Sequence, residues 1–110
     1  MKHNKISDIE VLEKVKFEKL EKLVLSRNKI SNNINILENV NFKELKELDL
    51  SDNNISDIKV LEKVKFEKLE KLNLNSNKIS NNINILENVN FKELKVLNLY
   101  NNDISDIKVL

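Results

Sequence analysis

Residues 45–55 read Leu-Lys-Glu-Leu-Asp-Leu-Ser-Asp-Asn-Asn-Ile, and the same frame returns at residues 20–30, 69–79 and 94–104. Every copy keeps apolar residues at its first, fourth, sixth and eleventh places and Asn at its ninth. Leu48 and Leu50 alternate with Glu47, Asp49 and Ser51, so a short strand turns both leucines to one face and the polar three to the other. The turn that follows leaves backbone N–H and C=O groups without ladder partners. The side-chain amide of Asn53, donor and acceptor at once, can bond them while buried. Asn4, Asn28, Asn77 and Asn102 hold the same place, which predicts a ladder of internal amides joining successive coils in preference to a ligand site.

The ladder asparagines lie 24, 25, 24 and 25 residues apart, so two coil types alternate and the full repeating unit is 49 residues. The extra residue of the longer coil follows Ser31, in a turn, where length is least constrained. With no glycine or proline in the chain, turning is expected to fall to asparagine. Ser7, Ser31, Ser56 and Ser80 each precede an apolar run and are read as helix N-caps, Ser7 with a capping-box partner in Glu10. Helices or tight helical turns are predicted near residues 8–14, 33–39, 57–63 and 82–88, with a fifth starting near Asp106. Phe17, Phe42, Phe66 and Phe91 occupy one place in the repeat and are expected to stack as a core spine, not as a ligand surface.

The frame Leu-x-x-Leu-x-Leu-x-x-Asn-x-Ile, carried over essentially the whole chain, resembles the leucine-rich repeat. The resemblance implies an α/β fold: a right-handed solenoid with a parallel concave sheet and short convex helices, forming one domain over residues 1–110. It is similar to the phosphatase-regulator-like and internalin-like subtypes, whose repeats are usually shorter than the 24 and 25 residues found here. A lone coil cannot bury enough apolar surface to offset its ordering entropy, so the coils must stack. Because the chain stops at Leu110 in mid-coil, a segment of a longer array is expected, with an open end able to self-associate.

Lys+Arg 19 against Asp+Glu 18 gives no broad field to draw in nucleic acid or an anionic membrane. Cysteine is absent, which removes disulfide caps, zinc clusters and thiol chemistry. Without a signal-like apolar run at the start, a cytoplasmic location is expected. No cofactor is implied, and the absence of glycine removes phosphate-cradling loops.

When residues 4–52 are laid over 53–101, nine of forty-nine pairs differ, and seven of the nine fall on outward strand places. In the resembling family these places line the concave, partner-gripping face. They are Lys22, Val24, Ser26 and Arg27 on the first strand; Glu47, Asp49, Ser51 and Asp52 on the second; Lys71, Asn73, Asn75 and Ser76 on the third; and Val96, Asn98, Tyr100 and Asn101 on the fourth. Free drift would also have altered exposed convex places such as Glu13, Lys14 and Glu38, yet these match their copies.

Tyr100 and Val96 are candidate anchors. Glu47, Asp49 and Asp52 are candidate charge selectors on a solvated acidic patch. His3, the sole histidine, has no triad or ligand partner at fixed spacing and is read as inert. An open strand face offers no dry pocket to perturb a carboxylate pKa, so catalysis is not expected. Asn54-Ile55-Ser56 fits the glycosylation triplet but lacks an export signal. The function expected is non-catalytic recognition of another protein, or alternatively a spacer that self-associates through its end.

Overall fold

A computed structural model describes residues 19–40, 42–80, 85–86, 89 and 91–103. The expectations for His3, Asn4, Ser7, Glu10, Phe17 and the helices at 8–14 and near Asp106 lie outside these residues. Four three-residue strands, β1 (Lys22–Val24), β2 (Glu47–Asp49), β3 (Lys71–Asn73) and β4 (Val96–Asn98), form a parallel sheet in chain order. The register is that of the repeat: Leu23, Leu48, Leu72 and Leu97 align, and so do Lys22, Glu47, Lys71 and Val96. Backbone bonds carry the pairing past the strand ends, as from the Leu25 N–H to Asp49 O at 2.8 Å and from the Arg27 N–H to Ser51 O at 3.0 Å.

The inward leucines bury as the alternation requires. Leu25, Leu45, Leu50, Leu69, Leu72 and Leu74 are fully enclosed, and Leu48 nearly so. Phe42 and Phe66 stack with centroids 6.4 Å apart and planes 14° from parallel, and Phe91 is also buried. Burial falls off toward β4, the edge strand: Leu94, Leu97 and Leu99 are half-buried where Leu45, Leu48 and Leu50 are enclosed.

The convex side is built of tight helical turns. Ser31–Asn39 and Lys59–Glu62 are 3-10 helices, the first starting two residues before its predicted position and the second two residues after. Of the segment predicted over 82–88, Ile85 and Leu86 are described, and both are 3-10. The physical reason is periodicity. Ile34, Leu37 and Val40 are buried at spacings of three, as are Ile58, Leu61 and Val64, which suits three residues per turn. Asn, Ile and Val are also weak α-formers. Nor does serine cap these helices. Ile30 and Ile58 hold the N-cap positions without a side-chain bond, Ser31 lies inside its helix at φ 47°, and it is Asp57 Oδ1 that accepts from the Lys59 N–H at 2.9 Å.

The asparagine ladder is present and buried. Asn53 Nδ2 donates to Leu25 O at 3.0 Å and to Leu50 O and Ser51 O at 2.9 Å. Its Oδ1 accepts from the Asn28 N–H at 3.1 Å and, at 3.5 Å, from the Ile30 N–H. Asn77 repeats this one coil on, donating to Leu50 O, Leu74 O and Asn75 O and accepting from the N–H groups of Asn53 and Ile55. Asn102 does the same for Leu74 O, Leu99 O and the Ile79 N–H. Each amide therefore ties its own turn to the turn before it.

The tight turning falls to asparagine only in part: Asn54 and Asn101 have positive φ, but so do Arg27, Ser31, Asp52 and Ser76. The eighth place of the frame takes the left-handed conformation in every described coil: Arg27, Asp52, Ser76 and Asn101 have φ between 57° and 60°. The Arg27, Asp52 and Ser76 N–H groups donate across to Ser51, Asn75 and Tyr100 carbonyls, and that bond offsets the steric cost of a Cβ in this region.

Two outcomes follow. Asn53→Ala is expected to cost about 3–5 kcal/mol in urea unfolding, because it strands buried donors and acceptors on two coils, and Asn102→Ala less, since Asn102 is only half-buried. Ser76→Asn is expected to stabilise by roughly 0.5–1 kcal/mol, since Asn tolerates the left-handed region that Ser resists.

Candidate functional site

Period-two alternation lifts the third, fifth and seventh places of each frame onto the sheet's outer face, and the eighth follows at the turn. Lys22, Arg27, Asp52, Lys71, Val96, Asn98, Tyr100 and Asn101 are exposed there, and Val24, Glu47, Asp49, Ser51, Asn73, Asn75 and Ser76 are half-buried. The structure thus brings together on one face all but one of the residues singled out from sequence. Ser26 is the exception, at 4% exposure. It lies beside Ser51, whose carbonyl accepts from the adjoining Arg27 N–H. Its Oγ has no hydrogen-bond partner among the described residues.

The acidic patch expected around Glu47 is internally neutralised. Glu47 lies between Lys22 at 3.4 Å and Lys71 at 3.7 Å, since the register sets one carboxylate between two ammonium columns. Asp52 pairs with Arg27 at 3.8 Å. Asp49 Oδ1 accepts from the Ser51 N–H at 3.0 Å and from Ser51 Oγ at 2.6 Å. These pairs are exposed and add little stability, but they leave no free block of negative charge.

Over the middle of the sheet, Lys22, Val24, Glu47, Asp49, Lys71 and Asn73 border a shallow depression of about 160 Å³. A larger hollow of about 490 Å³ lies elsewhere, between Lys46, Glu67, Lys68, Glu70, Lys92 and Glu93. Its walls are alternating lysines and glutamates, several already paired, such as Lys95 with Glu70 at 3.4 Å and Lys68 with Glu44 at 2.8 Å. Each wall residue is also identical to its counterpart 49 residues away. A surface so uniform carries no sign of a chosen partner, so the concave strip is the better candidate despite its smaller hollow. Among the described residues no group of three or more His, Cys, Asp or Glu side chains is placed to hold a metal ion, and no helix is long and apolar enough to cross a membrane.

A family model for leucine-rich repeats in two copies matches residues 18–63 and 43–88. The chain is a leucine-rich repeat protein. Among solved structures this leucine-rich repeat chain is similar to an internalin (inlF) from Listeria monocytogenes, with 33% identity and a TM-score of 0.76, covering 96% of this chain and 28% of that one. It is similar also to internalin C2 from the same organism, with 30% identity and a TM-score of 0.74, covering 94% of this chain and 42% of that one. The chain therefore spans less than half the length of either internalin. Comparison with curated protein sequences gives no match. The likeness fits the internalin-like subtype and the α/β solenoid, and marks the repeat as a protein-interaction module.

The rim pair yields a pH prediction. The Lys68 ammonium, hydrogen-bonded to both Glu44 oxygens, holds the Glu44 carboxyl below its ordinary value, and Glu44 holds Lys68 above its own. The carboxylate's share of the stability is present above the unfolded-state glutamate pKa and is lost as pH falls through the lowered folded value. The lysine's share is lost as pH rises through its raised folded value. NMR titration should show Glu44 protonating at lower pH than unpaired glutamates, with Lys68→Gln moving it back up.

Proposed function

We propose that this chain is a non-catalytic module that recognises another protein through the outer face of β1 to β4. One observation carries it. Of the eight pairs at the third, fifth, seventh and eighth places of the frames, seven differ between the two 49-residue units, while only two of the remaining forty-one pairs do. Exposed charged places off the sheet, such as Lys19/Lys68 and Lys43/Lys92, are unchanged, so exposure alone does not account for the concentration of differences.

The leucine-rich repeat fold and the resemblance to internalins support the reading at the level of protein interaction. An open, self-paired face with a shallow hollow gives catalysis no dry pocket. The polar places present no basic stripe that would favour nucleic acid. A second reading, axial self-association, is supported by the half-buried Leu97 of edge strand β4 and its half-buried neighbours Leu94 and Leu99. Sedimentation over a range of concentrations separates the two, since end stacking gives oligomers with no added partner.

A pull-down with the intact protein should lose its specific partner when Asp49, Asn73 and Tyr100 are all changed to Ser. The melting temperature should stay within a few degrees, because the three side chains take no part in the leucine core. A partner profile unaltered by the triple change would exclude this face.

A further inference from the structure

The two units share one scaffold but present different chemistry on it. The outward places of the first carry Lys22, Arg27, Glu47, Asp49 and Asp52, and those of the second carry Lys71 alone. The first unit's charges engage one another or, for Asp49, the neighbouring Ser51, and Lys71 is engaged by Glu47. A charged partner would have to displace these contacts. Beyond them lies a neutral strip along β4.

Resting on the concave-face reading above, we propose that recognition is concentrated on the second unit. Its occupant is an uncharged, extended stretch of polypeptide that sets an apolar side chain against Tyr100 and Val96. Tyr100 at 81% and Val96 at 37% are the exposed large hydrophobics among the described residues. Val96, Asn98 and Tyr100 stand at alternate positions, roughly 6.7 Å apart at strand rise. The same-side residues of an extended peptide laid along β4 repeat at that interval.

The anchor is also held in place. The Tyr100 N–H donates to Asn75 Oδ1 at 2.6 Å, and its carbonyl accepts from the Ser76 N–H at 2.8 Å and from Asn102 Nδ2 at 3.3 Å. The backbone below the ring is therefore fixed before a partner arrives, which lowers the ordering cost of binding. The Asn98 amide and Asn73 Nδ2 make no hydrogen bond among the described residues. An amide offers both a donor and an acceptor, the complement of a peptide backbone.

The test pans a random dodecapeptide display library on the immobilised full chain. Enriched peptides are expected to avoid Lys, Arg, Asp and Glu and to share an aliphatic or aromatic residue. Binding of a synthetic representative should change less than about twofold between low and high salt. It should weaken roughly tenfold in Tyr100→Ser and in Val96→Ser, less in the first-unit variants Glu47→Gln and Asp52→Asn, and hold in the off-sheet control Lys43→Gln, all five variants keeping the parent circular dichroism. Loss in the first-unit variants with Tyr100→Ser unaffected overturns this inference while leaving the concave face as the site. Binding indifferent to every outward substitution overturns the concave-face reading itself. Charged peptides with steep salt dependence, no enrichment, or retention of a glycan array in place of peptides each overturn the uncharged polypeptide.

Discussion

A buried carboxamide with no water to turn to holds successive coils together. Asn53 is fully enclosed, yet it reaches Leu25 O and the Asn28 N–H on the preceding coil while bonding Leu50 O and Ser51 O on its own. Only an amide can do this. An aspartate would lack the donors, and a leucine would leave both coils with unpaired backbone groups in the core. The amide therefore fixes how far apart neighbouring turns lie, and with it the strand register. Because the constraint acts at the strand end, the alternation between 24 and 25 residues is absorbed on the convex side.

With spacing fixed by amides and the interior filled by leucines and the Phe42–Phe66 stack, the outer face of the sheet is released from structural duty. The register still acts on it. Aligning Lys22, Glu47 and Lys71 across three strands places a carboxylate between two ammonium groups, so a cluster that looks acidic along one strand is balanced across several. Electrostatics on this face belong to columns that run along the solenoid axis, not to individual strands.

The strands, the inward leucines, the amide ladder and the phenylalanine spine were legible in the sequence because each is a strict period, two within a strand and one coil between strands. On the convex side the threefold spacing of Ile34, Leu37 and Val40 selects the 3-10 form of the expected helical turns. The serines resemble caps by composition, but Ile30 and Ile58 hold the N-cap positions of the described helices. Placing turns on asparagine followed residue preference. The coils impose the left-handed conformation at the eighth place whatever residue stands there, and Ser31 and Asn54 also take positive φ. Ser26 was placed outward by parity alone, which says nothing of how far a short side chain extends past its neighbours.

At the seventh place of the frame one backbone arrangement accepts quite different side chains. Ser51, Asn75 and Tyr100 all stand there, and each gives its carbonyl to the same bond, from Arg27, Asp52 and Ser76 respectively. Three side chains differing in size and polarity thus sit on one backbone arrangement, so the fold does not dictate which is present. Tyrosine at the fourth coil covers no core residue that serine at the second leaves bare: Leu50 is enclosed beside Ser51, while Leu99 beside Tyr100 is half-buried. An 81% exposed ring at such a place gains nothing from its own fold. What it offers is amphipathic surface to whatever approaches the sheet, and that is why the functional reading rests on side chains the fold leaves free.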